Sequence, residues 1–142
     1  MCAREHTEFP ARLAALRDTA AFAQVFCERN GIDRHTALRL TLVIEELFTN
    51  TVQHGYRAES DLPVRIELSA CNGGVAIFYE DAAPRYDPLA RSCGASAELD
   101  APFAARPVGG LGLYLISQLV ADARYAYENG CNRIWLIVPE HA

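Results

Sequence analysis

The amino-acid sequence predicts an α+β fold, in which an antiparallel or mixed sheet, mostly antiparallel, is covered by helices on one face. Apolar residues at helical spacing are concentrated before residue 55, whereas alternating apolar residues occur later, as two pairs of neighbouring segments. Each pair is joined by a short turn that contains Asn-Gly, a strong signal for an antiparallel hairpin. A sheet built from hairpins leaves an apolar face for the early helices to cover, so two layers are expected.

Two helices are predicted in the first part of the chain. The first runs from about residue 12 to residue 29 and stops at Asn30-Gly31. Asp33 can cap the second helix, which we expect to run to about His54, with Gly55 in a left-handed conformation at its end. The apolar stripe of the first helix contains Leu16, Ala20, Ala23 and Cys27, and that of the second contains Leu40, Ile44, Leu47 and Thr51.

Strands are predicted at residues 64–70 and 75–81, and again at 123–127 and 133–138, where apolar and polar residues alternate. Residues 82–108, between the two hairpins, have no apolar periodicity. A loop of this length within a compact domain is unusual unless it is functional or disordered. It contains four of the seven prolines, Pro84, Pro88, Pro102 and Pro107.

A short helix is predicted after this loop, and the glycine-rich segment at residues 109–112 opens it. Leu113, Ile116 and Val120 have the spacing of its apolar face. In the last hairpin, Tyr125 and Trp135 are interpreted as core residues. We expect the whole chain, residues 1–142, to form one domain, because 142 residues with 51% hydrophobic content suit one core better than two.

Composition argues against several classes of partner. The net charge of −5 provides no basic surface for nucleic acid or for anionic lipid. No apolar run approaches the ~20 residues that span a bilayer, and the N-terminus carries Glu5, His6 and Glu8 where a signal peptide is apolar. The five cysteines are odd in number and widely spaced, which is typical of reduced thiols in a cytoplasmic protein.

Three features in order along the chain indicate a ligand site. At ~100° per residue, Glu46 and Asn50 lie about 40° apart on one helix face, whereas Glu45 points away from Asn50. An amide oxygen suits Mg²⁺, which leaves the Glu46 carboxylate free to act as a base. Asp81 ends a strand and can accept a hydrogen bond from an adenine amino group. The glycines at residues 109–112 open a helix, where backbone N–H groups favour phosphate.

Each feature alone also has an ordinary structural interpretation. A glutamate and an asparagine one turn apart usually form a solvated helix face, and an aspartate at a strand end is most often a turn residue. A Gly-Gly-Leu-Gly segment is most often a helix entry. Their occurrence together, in this order and separated by a hairpin and a long loop, favours the ligand site.

The motifs resemble those of the GHKL ATPases, and most closely those of the anti-sigma-factor serine kinases. Residues 43–56 (Val-Ile-Glu-Glu-Leu-Phe-Thr-Asn-Thr-Val-Gln-His-Gly-Tyr) resemble the N-box helix of that family. Residues 81–88 (Asp-Ala-Ala-Pro-Arg-Tyr-Asp-Pro) are similar to its Asp-x-Gly-x-x-Phe-Asp-Pro segment. Residues 109–115 resemble its second glycine box, and residues 129–133 fall in its terminal hairpin. The resemblance covers roughly residues 10 to 138.

The resemblance implies a two-layer α/β sandwich of the Bergerat type that binds ATP and Mg²⁺ beneath a lid, here residues 82–108. It implies that Glu46 is the catalytic general base and that Asn50 is the Mg²⁺ ligand. Asp81 would read adenine. Apart from the resemblance, Arg106 could follow the lid to the γ-phosphate, although an arginine in a polar loop usually faces solvent. The remaining nucleotide-binding positions that the resemblance implies are Ala83, Gly109, Gly110, Gly112 and Leu113.

Two residues depart from the family pattern, and the function has more than one interpretation. Ala83 stands where a glycine is common, which removes access to positive φ, and Tyr86 replaces a phenylalanine.

The resemblance implies transfer of phosphate to a serine or threonine of an anti-anti-sigma partner, sequestration of a sigma factor, and a homodimer. The alternative, which Ala83 favours, is a non-catalytic regulator that binds nucleotide, or nothing, and acts only by binding other proteins. A third interpretation is slow ATP hydrolysis with water as the acceptor.

Overall fold

The computed structural model describes residues 3–89 and 116–140 of the chain. Its sheet has five strands in the order β1-β2-β3-β5-β4, and all neighbouring strands are antiparallel. The predicted α+β class and both predicted hairpins are confirmed. The strands are β1 (Ala3–Pro10), β2 (Pro63–Cys71), β3 (Gly74–Asp81), β4 (Asp122–Glu128) and β5 (Cys131–Pro139).

Two helices, α1 (Leu16–Arg29) and α2 (Arg34–Asn50), pack against each other and cover one face of the sheet. The sheet residues on that face alternate with outward residues, as the period of a strand requires. Burial of this apolar surface is the main favourable contribution to folding. Large side chains that are fully buried between the layers include Phe26, Phe48, Ile66, Tyr79 and Leu136.

The predicted cap of the second helix is confirmed. The Asp33 carboxylate accepts hydrogen bonds from Thr36 N at 3.2 Å and from Thr36 Oγ1 at 2.5 Å. These bonds satisfy one of the free backbone donors of the first turn. The hydrogen bonds from Thr36 also lower the pKa of Asp33. The side chain therefore accepts as a carboxylate at neutral pH.

Strand β1 was not predicted from the sequence. It pairs with β2 along its whole length, from Ala3 opposite Ala70 to Pro10 opposite Pro63. Its residues are mostly polar, and Phe9 is its one buried side chain. A strand at the edge of a sheet can be polar on both faces, so the alternation that marks a half-buried strand is missing here.

The end of the second helix differs from the prediction. Helix α2 continues into a π-helical turn, Thr51–Gly55, in which Tyr56 N donates to Thr51 O at 2.8 Å. The left-handed residue is Arg57, with φ of 61°, and the prediction for Gly55 is wrong. A Cβ at Gly55 would lie 3.1 Å from the Ala83 Cβ, so close packing is the physical reason for a glycine there.

The outer face of the sheet carries aromatic side chains. The Phe78 and Trp135 ring centroids lie 5.4 Å apart, and the Arg124 guanidinium lies 5.0 Å from the Trp135 centroid. These residues line a cavity of about 470 Å³ on the face opposite the helices. Trp135 is half-buried there, so its assignment to the core is wrong, whereas Tyr125 packs against the core.

None of the helices in residues 3–89 and 116–140 is both long enough and apolar enough to cross a membrane.

The β2–β3 turn provides a test of this architecture. A Cβ at Gly74 would lie 2.3 Å from the backbone oxygen of Val138, whereas a Cβ at Gly73 has no neighbour within 4 Å. We expect Gly74→Ala to lower the free energy of unfolding by about 3 kcal/mol or more, because the β3–β5 pairing must open. Gly73→Ala, the matched control, costs only the strain of its φ of 90°, about 1–3 kcal/mol. Urea unfolding measures both, and equal losses would contradict this packing.

Candidate functional site

A buried carboxylate ends strand β3 beneath the C-terminal end of helix α2. Asp81 is 5% exposed. Its Oδ2 accepts a hydrogen bond from Thr51 Oγ1 at 2.9 Å, and its Oδ1 accepts from Asn132 Nδ2 at 2.9 Å and from Ala83 N at 3.1 Å. Three donors offset the cost of taking the charge out of water. The predicted adenine-reading residue is therefore held in one orientation.

Thr51 and Tyr79 complete the link between helix and strand. Thr51 Oγ1 lies 2.6 Å from the Tyr79 hydroxyl, which itself lies 3.1 Å from Leu47 O. Each hydroxyl has one proton: Thr51 Oγ1 can donate to Asp81 Oδ2 or to Leu47 O at 3.1 Å, and the Tyr79 hydroxyl can donate to Leu47 O or to Thr51 Oγ1. Burial, together with the charge of Asp81, raises the pKa of Tyr79 well above its ordinary value. Tyr79 therefore keeps its proton, and the Thr51 and Tyr79 hydroxyls link helix α2 to Asp81 at the end of β3.

Asn132 connects strand β5 to the segment that follows β3. This side chain is 2% exposed, and besides Asp81 its Nδ2 lies 3.1 Å from the carbonyl oxygens of residues 83–84. Its Oδ1 accepts from Tyr86 N at 2.9 Å and from the Tyr125 hydroxyl at 2.5 Å. One amide thus fixes the first residues of the predicted lid against the sheet.

Ala83, which replaces a glycine of the family pattern, is accommodated without strain. It is 1% exposed, and it is absent from the described residues that have positive φ. The space for its methyl group is provided by Gly55, where a side chain would collide with it. The backbone here does not use the left-handed conformation that a glycine would allow.

Asn50, the predicted Mg²⁺ ligand, contacts the same segment. It is 6% exposed, and its Oδ1 accepts a hydrogen bond from the Tyr86 hydroxyl at 2.8 Å. The Tyr86 ring is stacked on His54, with centroids 6.4 Å apart and an interplanar angle of 16°. Tyr86 therefore covers the face of α2 that carries the predicted ligand.

Glu46, the predicted base, is half-buried on α2, one turn before Asn50. Burial raises the pKa of Glu46, and the charge of Glu45 raises it further. A carboxylate with a raised pKa accepts a proton more readily, which suits a general base. Glu45 is close enough to act electrostatically although it lies on a different part of the helix surface.

The structure brings Glu46, Asn50, Asp81 and Ala83 to one region, and their roles remain predictions. Residues 116–119 are helical, in agreement with the short helix predicted there. The other predicted site residues and residues 90–108 of the predicted lid lie outside the described part of the chain. Those site residues are Arg106, Gly109, Gly110, Gly112 and Leu113.

Sequence reasoning did not identify three residues that organise the site: Thr51, Tyr79 and Asn132. Thr51 was read as part of an apolar stripe and Tyr79 as part of a strand, because a buried hydroxyl looks like a core position in a one-dimensional pattern. A signal for Asn132 was present, since an asparagine at an inward position of a strand requires hydrogen-bond partners.

Comparison with known proteins identifies the family of this chain. A family model, the histidine kinase-like ATPase domain, matches residues 9–138. The chain belongs to the histidine kinase-like ATPase domain family, and the resemblance found in the motifs is confirmed.

Several individual proteins are similar to this chain. The serine-protein kinases RsbW of Listeria innocua and Listeria monocytogenes are each 26% identical to this chain over 109 residues. The match covers 72% of this chain and 66% of the relatives' length, so it spans slightly less than two thirds of those proteins. A solved structure of the RsbU and RsbW domains of Rv1364c from Mycobacterium tuberculosis shares the fold, with a TM-score of 0.67 at 18% identity. The structural match covers 97% of this chain and 32% of the Mycobacterium tuberculosis chain.

The side chains fit the nucleotide and metal that the family implies. Among the described contacts, Asp81 Oδ2 accepts one hydrogen bond, and a carboxylate oxygen can accept a second from an amino group. Asn50 Oδ1 likewise accepts one hydrogen bond and, as a neutral hard oxygen, is a suitable Mg²⁺ ligand.

The raised pKa of Glu46 predicts a specific dependence of stability on pH. Ionising this carboxyl costs more in the folded protein than in the unfolded one, so its contribution is favourable below the unfolded pKa, about 4.3, and is lost as pH rises through the folded pKa. We expect Glu46→Gln to match the wild-type free energy of unfolding near pH 3.5 (about 1 unit below the unfolded pKa) and to exceed it at about pH 8. Urea unfolding measures this difference.

Glu45→Gln serves as the partial control. It removes the charge of Glu45, which contributes to the raised pKa of Glu46, and leaves Glu46 half-buried. It should therefore reproduce only part of the increase in the free energy of unfolding at about pH 8. If Glu46→Gln and the wild type differ by the same amount at both pH values, the pKa of Glu46 is not raised.

Proposed function

We propose that this protein is a serine/threonine kinase of the anti-sigma-factor type, which transfers the γ-phosphate of Mg-ATP to a hydroxyl of an antagonist protein. The observation that carries the proposal is the hydrogen bond between Thr51 Oγ1 and Asp81 Oδ2, at 2.9 Å. It joins the helix that holds Glu46 and Asn50 to the strand end that holds Asp81. This link supports placing the proposed base, the proposed metal ligand and the proposed purine-reading carboxylate in one site, in a chain of the histidine kinase-like ATPase family.

Asp81 and Asn50 are proposed to bind the nucleotide at its two ends. Asp81 accepts a hydrogen bond from the adenine amino group, and its protein donors hold the carboxylate in one orientation. Asn50 holds Mg²⁺, which when bound neutralises charge on the phosphates. Gly110 and Gly112 are proposed to bring backbone N–H groups to the phosphates, with residues 82–108 as the lid.

Glu46 is proposed to accept the proton of the attacking hydroxyl. Phosphoryl transfer depends mainly on positioning and on charge neutralisation, and a base near the nucleophile adds to both. The half-buried position of Glu46 raises its pKa, which increases its tendency to take a proton. Its position one helical turn from Asn50 supports a role beside the proposed metal rather than beside the adenine.

The name of the Listeria relatives, serine-protein kinase, supports a protein hydroxyl as the acceptor. We propose an anti-anti-sigma protein as this acceptor, a sigma factor as a second partner that the same molecule sequesters, and a homodimer as the acting form. We place this activity in the cytoplasm, with the chain acting as a single domain.

A second candidate is a regulator that binds partners without catalysis. The contact between the Tyr86 hydroxyl and Asn50 Oδ1 favours it, because the predicted metal ligand is covered by a protein side chain. The two candidates differ in one measurable property, the incorporation of phosphate into a partner.

Asn50→Ala tests the metal role. We expect it to weaken Mg-ATP binding by about tenfold or more and to leave metal-free ATP almost unchanged, because only the metal-bound form uses the amide oxygen. Calorimetric titration with and without Mg²⁺ measures both. Asn30→Ala is the matched control, since the Asn30 amide caps α1 through Phe26 O, outside the site. Equal losses with and without Mg²⁺ would assign Asn50 a structural role only.

Glu46→Gln tests catalysis. It keeps the size of the side chain and removes proton acceptance, so Mg-ATP should still bind while phosphate transfer to the partner falls by about 10² or more. Transfer is measured with γ-labelled ATP and a partner captured from the source cell. Glu45→Gln is the control, and transfer should persist in it.

Two outcomes would favour the non-catalytic regulator. One is an authentic partner that gains no phosphate from the wild type, and the other is equal incorporation by the wild type and Glu46→Gln.

A further inference from the structure

The Tyr86 hydroxyl is hydrogen-bonded to the oxygen atom that the proposed metal site requires. It donates to Asn50 Oδ1 at 2.8 Å, and Asn50 is 6% exposed. Magnesium demands near-ideal octahedral geometry and usually keeps several of its waters. The hydrogen bond from the Tyr86 hydroxyl takes one of the two acceptor positions of this oxygen, and the burial of Asn50 limits the space beside it. A hydrated ion at Asn50 Oδ1 and the Tyr86 hydroxyl therefore compete for the same small region.

The backbone and the side chain of Tyr86 are bonded to different elements. The backbone N–H is anchored to Asn132 Oδ1 at 2.9 Å, on the sheet. The hydroxyl, at the other end of the residue, reaches helix α2, and the ring lies flat against His54. A rotation about the side-chain torsions releases Asn50 without breaking the anchor to β5. Such rotations between staggered conformations are ordinary for an aromatic residue.

We propose that Tyr86 sets the magnesium affinity of the site by competing with Mg²⁺ for Asn50 Oδ1. In the nucleotide-free protein the hydroxyl holds the amide oxygen, and Mg-ATP binds only to molecules in which Tyr86 has turned away. Tyr86 is a specificity-determining residue in this role, because it distinguishes metal-bound from metal-free nucleotide. The inference rests on the proposed function, in which Asn50 is the metal ligand.

Competition of this kind has a defined signature. The apparent dissociation constant equals the intrinsic one divided by the fraction of molecules that are competent to bind. Removing the hydroxyl raises that fraction and leaves the ring in place. Metal-free ATP does not use Asn50 Oδ1, so its affinity is insensitive to the competition. A hydroxyl that supported metal binding would produce the opposite change.

The test is the calorimetric titration of Tyr86→Phe with Mg-ATP and with metal-free ATP. We expect the Kd for Mg-ATP to fall by about three- to tenfold, the net contribution of one hydrogen bond, and the Kd for metal-free ATP to stay the same. Tyr127→Phe is the matched control. It is the same chemical change at an exposed tyrosine of β4, whose ring faces Arg85, and both affinities should equal those of the wild type.

A second measurement needs no nucleotide. Urea unfolding of the free protein, with Tyr86→Phe, Asn50→Ala and the double variant, forms a double-mutant cycle. Because both single changes remove the same hydrogen bond, Tyr86→Phe should lower the urea midpoint in the wild type and have little further effect in Asn50→Ala. Additive shifts would show that the hydroxyl and the amide do not interact, and would overturn the proposal.

The outcomes separate this inference from the proposed function. If the wild type and Tyr86→Phe bind Mg-ATP equally, or if Tyr86→Phe binds it more weakly, competition is wrong while the nucleotide site stands. If neither protein binds Mg-ATP, the proposed function fails and the competition fails with it. Tighter Mg-ATP binding by Tyr86→Phe, together with non-additive unfolding, is the result that we expect.

Discussion

A buried carboxylate at the end of β3 is held by donors from three separate parts of the chain. Thr51 lies on the π-helical turn after α2, Asn132 lies on β5, and the third donor is the backbone N–H of Ala83. A charge in this position would be strongly unfavourable without these bonds. The helix layer, the sheet and the start of the loop must therefore meet at Asp81 in one arrangement, and the positions of the other site residues follow from it.

The same requirement connects the two ends of the site. Asn132 satisfies Asp81 and also anchors Tyr86 N, and the Tyr86 side chain then reaches back across to Asn50 on α2. A displacement of Asp81 can therefore reach Asn50 through a short series of hydrogen bonds. The small residues Gly55 and Ala83 let the loop approach the helix closely enough for the Tyr86 hydroxyl to reach Asn50.

The secondary structure was largely predictable because it follows local patterns. The hairpins were indicated by Asn-Gly turns and alternation, and the start of α2 by Asp33, which does cap that helix. Strand β1 was not predicted, because its polar edge position removes the alternation. The expectation of a left-handed Gly55 was wrong, because the helix continues into a π-helical turn whose glycine serves close packing against another segment.

The sequence by itself determined the fold class, the family, and the helix and strand that carry Glu46, Asn50 and Asp81. These depend on periodicity and on motif spacing, both of which are properties of neighbouring residues. Only the tertiary structure decided which side chains satisfy Asp81, and that Tyr86 covers Asn50. The physical reason is that hydrogen bonds of buried polar groups join residues 30 to 51 positions apart, and their partners depend on how layers pack rather than on local pattern.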